Sequence, residues 1–464
     1  MIYQQINPAE LEHAQAIMRA NLSPRYRRLD ALESWTNGTQ YTGRKSWWDD
    51  EVPLWERAPC IQYPVATIAI ESNVDLVLGE GRFPSFTSKP GEDEAAQDSG
   101  LGEVASVALD RFIVEYHRLC RFRAHCRDAL FAAQACGTAV AIHGARNGKP
   151  FANLIPAKWV TPELGIHGEV LSLEIKYAYL DEYRKANGEW SVRPMLYRRI
   201  IDATRDITYL PAEARESGLD PQWVEDPKLR ISHNLGFCPG VWYPFMRGCV
   251  PVNVIDGRAL HGSVTDEMQG LDIALSQRHR CALMSEPQMC EIGVTAGYNP
   301  TGELGRMPEV PSVGPDGRPN GGFGQQESGG ARKKGPGYVN QYPDPLTKVE
   351  YLSFPAHALT AQSDNAADLL NKLQESLGVV LLDPNNIKFA ATTSGKALEA
   401  IKQRQIDRCD QIRDDMRDGF LLPSIDMQLR IAAKYGAGLR VSGSAEIASL
   451  LKKFDTEPDA LAVA

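Results

Sequence analysis

The sequence predicts an α+β protein, with helices and strands mixed in its first half and long helices dominating its second. Three observations carry that expectation. Apolar residues recur at helical spacing through much of the first 131 positions, alternate at strand spacing between Val140 and Leu210, and return to helical spacing in three long segments after Ser263. At 464 residues the chain exceeds one ordinary core, so it holds two to four domains or forms one elongated subunit of several parts.

The elements follow in order. Ala9 to Arg19 is predicted helical, and Tyr26 to Trp35 repeats apolar residues at the same spacing. A Trp- and Pro-rich stretch runs from Trp47 to Pro64. Pro64 then opens a helix through Val65, Ile68, Ala69 and Val77 that ends at Gly79. Proline suits a helix start, where its missing N–H has no partner to lose, and glycine suits the exit. Gly100 to Phe131 reads as one or two further helices. Leu171-Ser172-Leu173-Glu174-Ile175-Lys176-Tyr177 alternates as a half-buried strand, and Ala186-Asn187-Gly188-Glu189 as a hairpin turn.

A long helix is expected from Ser263 to Glu286, capped by Ser263 with Asp266 three positions on. Its apolar stripe is Val264, Met268, Leu271, Leu275 and Ala282, and Pro287 stops it. Residues 287–350 differ from everything around them, with 13 Gly and 9 Pro among 64 residues and one basic cluster, Arg332-Lys333-Lys334. Loops of that length are functional or disordered. A second helix spans Ala356 to Leu377, so the insert lies between two helices. Gly378 to Gly395 has no helical period. The last long helix, about Ser394 to Ala433, puts Leu398, Ile401, Gln405, Cys409, Ile412, Met416 and Phe420 on one face. Lys434 to Ala464 is a short tail with one helical patch near Ala445 to Phe454.

Composition narrows the function. Hydrophobic residues make up 43% and charged residues 23%, the balance of a folded chain rather than a disordered one. A net charge of −9 argues against a surface that grips nucleic acid through many phosphates, which needs excess Lys and Arg. The N-terminus lacks the pattern of a signal peptide. The most apolar run, Ala129 to Ile142, is broken by Gln134, Gly137 and Thr138 and is too short to span a bilayer, so no membrane is expected. Nine scattered cysteines with no C-x-x-C pair fit reduced thiols in a cytosol.

No catalytic motif survives inspection. Thr393-Ser394-Gly395-Lys396-Ala397 looks like a phosphate loop, but a P-loop needs glycine where Ala390 stands and Ser or Thr where Ala397 stands. Ser394 reads as a helix cap instead, and no nucleotide cofactor is expected. His117, Cys120, His125 and Cys126 follow no zinc spacing and sit among Arg118, Arg121, Arg123 and Arg127, so they read as ordinary helix residues. His233 reads as a turn residue rather than a base. On the last long helix, Arg404 with Asp407, Asp410 with Arg413, and Asp414 with Arg417 form pairs three apart, worth about 0.2–0.5 kcal/mol each. That face is either solvated or a seam between subunits, since Asp410, Asp414 and Asp418 form a like-charge row that calls for counter-charges.

Several segments, in order, resemble the portal proteins of tailed bacteriophages, the ring through which DNA enters and leaves the head. Arg28-Leu29 with Trp35 and Gly38, and Asn73 with Val77-Leu78-Gly79, resemble the opening helices of that family. Ala135-Cys136-Gly137-Thr138-Ala139 is similar to its small-residue turn before the first strands. The longest stretch of resemblance is His233-Asn234-Leu235-Gly236-Phe237-Cys238-Pro239-Gly240-Val241-Trp242-Tyr243-Pro244-Phe245, followed by Asp272-Ile273-Ala274-Leu275-Ser276-Gln277-Arg278. Ser394-Gly395-Lys396-Ala397-Leu398-Glu399 resembles the start of the helix behind the tunnel loop. The resemblance covers most of residues 20–435.

It implies an elongated portal-type subunit: residues 1–262 and 395–431 as wing, 263–286 and 351–378 as a two-helix stem, 287–350 as clip, 379–394 as tunnel loop and 432–464 as a small helical crown. By the same resemblance the chain is not an enzyme, needs no cofactor or metal, and forms a dodecameric ring at the portal vertex of the virion, assembled in the host cytoplasm. Its implied partners are a terminase packaging motor, adaptor and tail proteins, capsid and scaffolding proteins, and double-stranded DNA passing non-specifically. Asp383, Asn385, Asn386, Lys388, Thr392 and Thr393 would face that DNA, and Arg332, Lys333 and Lys334 would meet the adaptor. Arg404, Asp410, Asp414 and Asp418 are the candidates for a subunit interface. The alternatives are another head-completion or connector protein, or a DNA-processing enzyme with an unrecognised carboxylate site.

Overall fold

The computed structural model describes residues 7–49, 51–79, 83, 101–166, 168–185, 188–218, 220–246, 255–284, 288–292, 348–352, 356–379 and 395–449. It is 50% helical and 22% strand, which makes the chain α+β. Contacts divide it into two units, one of Met1–Gly43, Pro64–Met268 and Lys372–Ala464, the other of Arg44–Tyr63 and Gln269–Asn371.

The first unit opens with α1 (Pro8–Ala20) and α2 (Pro24–Asn37), both started by proline. Asn7 Oδ1 accepts from the Ala9 N–H at 3.0 Å, and Ser23 Oγ from the Tyr26 N–H at 3.0 Å. These bonds satisfy amides that a helix start otherwise leaves open. α3 (Val65–Leu78) lies between Pro64 and Gly79 as the sequence reads. α4 (Leu101–Cys120) and α5 (Phe122–Cys136) are separated by one residue, Arg121. Beyond them β1 (Thr138–Arg146), β2 (Lys149–Ile155) and β9 (Gly240–Pro244) form an antiparallel sheet in the order β2-β1-β9, with Val140 opposite both Ile155 and Trp242.

A second antiparallel sheet runs β3 (Val160–Leu164), β4 (Val170–Arg184), β5 (Trp190–Ile201), β6 (Arg205–Thr208), β8 (Ile231–Ser232), with β7 (Ala212–Glu213) on β5. The alternation read at 171–177 buries Leu173 and Ile175 on one face. The β4–β5 hairpin closes where the sequence places it: Gly188 adopts φ +86, and the Lys185 N–H bonds Glu189 O at 2.8 Å. At the α5–β1 junction Gly137 has φ +83, and a Cβ there would meet Gly257 O at 2.5 Å, so any larger residue would push two backbones apart.

One buried carboxylate ties these parts together. Asp256, 1% exposed, accepts from Arg25 Nε at 2.8 Å and Nη2 at 2.6 Å, from Arg28 Nη2 at 2.5 Å and from Thr138 Oγ1 at 3.1 Å. Arg25 also donates to Val160 O at 2.6 Å and lies 5.3 Å over the Trp242 ring. The Asp256–Arg25 pair thus joins α2 to strands of both sheets.

The sequence expects one continuous helix from Ser394 to Ala433. The structure instead has α8 (Gly395–Met416), a π turn at Arg417–Leu421, and α9 (Leu422–Tyr435). Pro423 supplies the reason, since it has no N–H for the i−4 carbonyl and its ring would strike that carbonyl in a regular helix. Widening the turn, with Leu422 N–H bonding Arg417 O, removes the conflict. The bulge brings Gly419 onto Tyr243, where a Cβ would lie 2.7 Å from the ring. Because Tyr243 is fully buried, Gly419→Ala is expected to cost about 1–3 kcal/mol in urea unfolding through overpacking.

In the second unit, α6 (Thr265–Met284) and α7 (Ala356–Leu377) contribute their residues from 269 and up to 371, respectively. Gln362 Nε2 donates to Cys281 Sγ at 3.3 Å, and a Cβ on Gly270 would sit 4.0 Å from Leu369, so these stretches run antiparallel. The expected cap at Ser263 is not used. That hydroxyl accepts from Arg258 Nη2 at 3.4 Å, and the helix begins two residues later, ending at Met284. Of the predicted stripe, Val264, Met268 and Leu271 are buried and Ala282 is exposed. Buried Asp272 and Ser276 instead accept the backbone N–H groups of Tyr63 at 2.8 Å and Ile61 at 3.0 Å, pinning the Trp/Pro-rich segment to α6. Beyond the helices, β10 (Gln288–Ile292) and β11 (Lys348–Leu352) pair antiparallel, Gln288 opposite Leu352 and Ile292 opposite Lys348. Both strands lie inside or beside the Gly/Pro-rich insert, where the sequence reading expected none.

Candidate functional site

Most of the expected functional residues lie outside the described residues: Asp383, Asn385, Asn386, Lys388, Thr392 and Thr393 of the proposed tunnel loop, Arg332, Lys333 and Lys334 of the proposed clip, and the side chain of Arg404. Their frame is described. Helix, strand, residues 293–347, strand and helix follow one another, with the two strands paired and the two helices antiparallel.

The charged row on α8 is described, and two of the pairs read three apart in the sequence are formed. Asp410 pairs with Arg413, Asp414 with Arg417 at 3.1 Å, and Asp418 with Arg417 at 2.8 Å. These counter-charges come from the same helix and its π turn. Arg417 holds the Asp418 carboxyl below its usual range by hydrogen bonding. Exposed pairs of this kind add little to stability. The opposite face behaves as read: Gln405, Cys409, Ile412, Met416 and Phe420 are buried, with Gln405 Nε2 donating to Ser72 Oγ at 3.1 Å.

A polar cluster that sequence reasoning missed lies in the core of the first unit. It joins His117 of α4, His125 of α5 and His143 of β1, with Gln428 of α9 in polar contact with His117. The His125 and His143 rings stand edge to face at 6.3 Å, and His117 stacks on Phe122 at 4.2 Å. His143 is 1% exposed, and neither of its ring nitrogens has a partner among the described residues. Burial pushes His125 down to about 4, and burial together with its two neighbouring imidazoles pushes His143 down to about 3. At neutral pH these rings are uncharged.

Burial also pushes the Cys120 thiol up to about 12 and raises Cys126, which leaves neither a ready nucleophile. Among the described residues no group of three His, Cys, Asp or Glu is arranged to hold a metal ion. His117 and His125 were visible in the sequence. His143, far along the chain on another element, gave no signal. His233 ends β8, and its Nδ1 accepts from the Leu235 N–H at 3.3 Å within a turn.

No described helix is long and apolar enough to cross a membrane. No protein-family model matches this chain, and no curated protein matches it either.

Proposed function

We propose that this chain is a ring-forming portal subunit, through which double-stranded DNA enters and leaves a phage head. The observation that carries the reading is the helix–strand–insert–strand–helix unit, with its antiparallel helices and the paired strands at Gln288–Ile292 and Lys348–Leu352. Copies standing side by side would line an opening with such helix pairs and project residues 293–347 from one end toward the packaging motor and then the adaptor and tail.

A conduit has to let DNA move. Each Lys or Arg contact to a phosphate must break as the duplex advances, so a wall with net negative charge slides more readily than a basic one. Asn385, Asn386, Thr392 and Thr393, with Lys388 as a lone cation, would give a constriction of small polar groups. A separate motor would hydrolyse ATP.

Electron microscopy of the purified full chain tests the reading. Closed rings of about twelve copies with a central channel are expected. Closed assemblies without a channel would favour a connector protein, and metal-dependent nuclease activity would favour a DNA-processing enzyme. A chain that stays a single subunit at every concentration would end the proposal.

A further inference from the structure

We propose that the cavity where α4 meets α5 is a docking site for a protein segment that carries an apolar anchor flanked by carboxylates. The cavity has a volume of about 600 Å³, within the range of clefts that bind small ligands. Its floor is apolar: the Phe122 ring, Ala124 and Val114, the last 67% exposed, with Phe83 at one side. Its rim is basic, made by Arg118, Arg121, Arg123 and Arg127. Four guanidinium groups within ten residues stand out in a chain of net charge −9.

Among the described residues the compensation of this charge is incomplete. Arg127 pairs with Asp75. The nearest carboxylate to Arg118 is Glu115 at 3.8 Å, and Glu115 already accepts the Ser442 N–H at 2.7 Å. Among the described residues no carboxylate pairs with Arg121 or Arg123. Arg123 lies 5.8 Å over the Phe83 ring and donates to Gly79 O at 3.3 Å, which holds its guanidinium at the cavity wall.

The backbone at Arg121 is a second, independent sign. It adopts φ +51, the left-handed conformation that glycine or asparagine occupies at lower cost. An arginine kept in that position points to a use for its side chain, since such strain persists where function requires it. The first turn of α5 also lacks a side-chain cap, so its open amides add positive potential on the same side.

The shape selects the partner. A nucleic acid would need charges spread along a track at phosphate spacing. Here they ring one concavity with an apolar floor. Carboxylates of a peptide can take the guanidinium groups in paired hydrogen bonds while a Leu or Phe fills the floor, and Arg and aromatic side chains are the groups that concentrate binding energy in interfaces. This inference does not depend on the ring reading.

A displayed random-peptide library selected on the immobilised full chain tests it. Expected is enrichment of sequences with Asp or Glu flanking Leu or Phe. The best of them, labelled, should bind in fluorescence anisotropy and weaken about tenfold in the double variant R118A/R123A. The variant R121G should weaken binding as well while raising the thermal midpoint, because glycine relieves the backbone. Three results would overturn the proposal: no acidic–apolar class enriched, selected peptides that bind both variants as tightly as the parent chain, or a short DNA duplex that displaces the peptides at lower concentration than an acidic competitor.

Discussion

Replacing Asp256 with alanine is expected to lower the free energy of unfolding by about 3–5 kcal/mol, measured by urea titration of the full chain. The cost comes from what is left behind. With the carboxylate gone, Arg25, held at 2.6–2.8 Å on two nitrogens, and Arg28 face each other without an anion. Thr138 Oγ1 loses its acceptor in a site that water does not reach. Removing the buried member of an ion cluster costs more than the cluster contributes over an apolar replacement, chiefly here through Arg25, whose side chain is only 20% exposed, since Arg28, 50% exposed, can turn to water. Asp256→Asn should be nearly as damaging, as it keeps the shape and still removes the charge. A loss below about 1 kcal/mol in both variants would show that the arginines turn outward and that the cluster does not hold α2 to the sheets.

Acid should unfold the chain through its core histidines. In the folded state His125 and His143 are neutral, with values pushed down to about 4 and about 3, whereas an unfolded histidine titrates near 6.5. Below pH ~6.5 the unfolded chain therefore binds more protons, and stability falls as pH drops. The contribution is intact above pH ~6.5, declines down to pH ~4 for His125 and ~3 for His143, and is flat below. For His125 the full loss is about 3 kcal/mol and for His143 about 5 kcal/mol, a large part of a typical domain's stability. Unfolding midpoints measured between pH 7 and 4 should show the slope, and the variant H125Q/H143Q should reduce it, leaving the part due to His117, which burial also pushes down to about 4. An equal slope in parent and variant would place the acid sensitivity elsewhere.

What the sequence made legible was local. Pro64 and Gly79 bracket α3 because proline and glycine act on their own backbone, whatever packs nearby. The Ala356–Leu377 helix and the 186–189 turn were readable for the same reason. Errors arose where a local rule met a competing one. Pro423 was in plain view, and reading an unbroken helix past it overlooked the bulge that relieves its clash. Ser263 had the right chemistry for a cap, but Arg258 holds its hydroxyl. Lys348-Val349-Glu350-Tyr351-Leu352 does alternate, yet its strand pairs with residues about 60 positions earlier, across a stretch whose glycines and prolines mask any pattern. The Asp256 cluster and the three histidines were illegible on principle, since each joins elements that only the fold brings together. Near the expected site, the helices at Thr265–Met284 and Ala356–Leu377 and the Asp410–Arg413 and Asp414–Arg417 pairs were legible because each follows from local spacing.

The strand pair at the base of the insert has a further consequence. Because Ile292 and Lys348 are partners, the chain departs and returns within about 5 Å, the gap between neighbouring strands. Whatever lies between is attached like a cassette, with both ends fixed at one clasp. Each doubling of its length costs only about 0.6 kcal/mol in closure entropy, and the helices on the other side of the clasp feel no change in spacing. Relatives or engineered versions can therefore exchange this piece for another of different size and still assemble on the same scaffold.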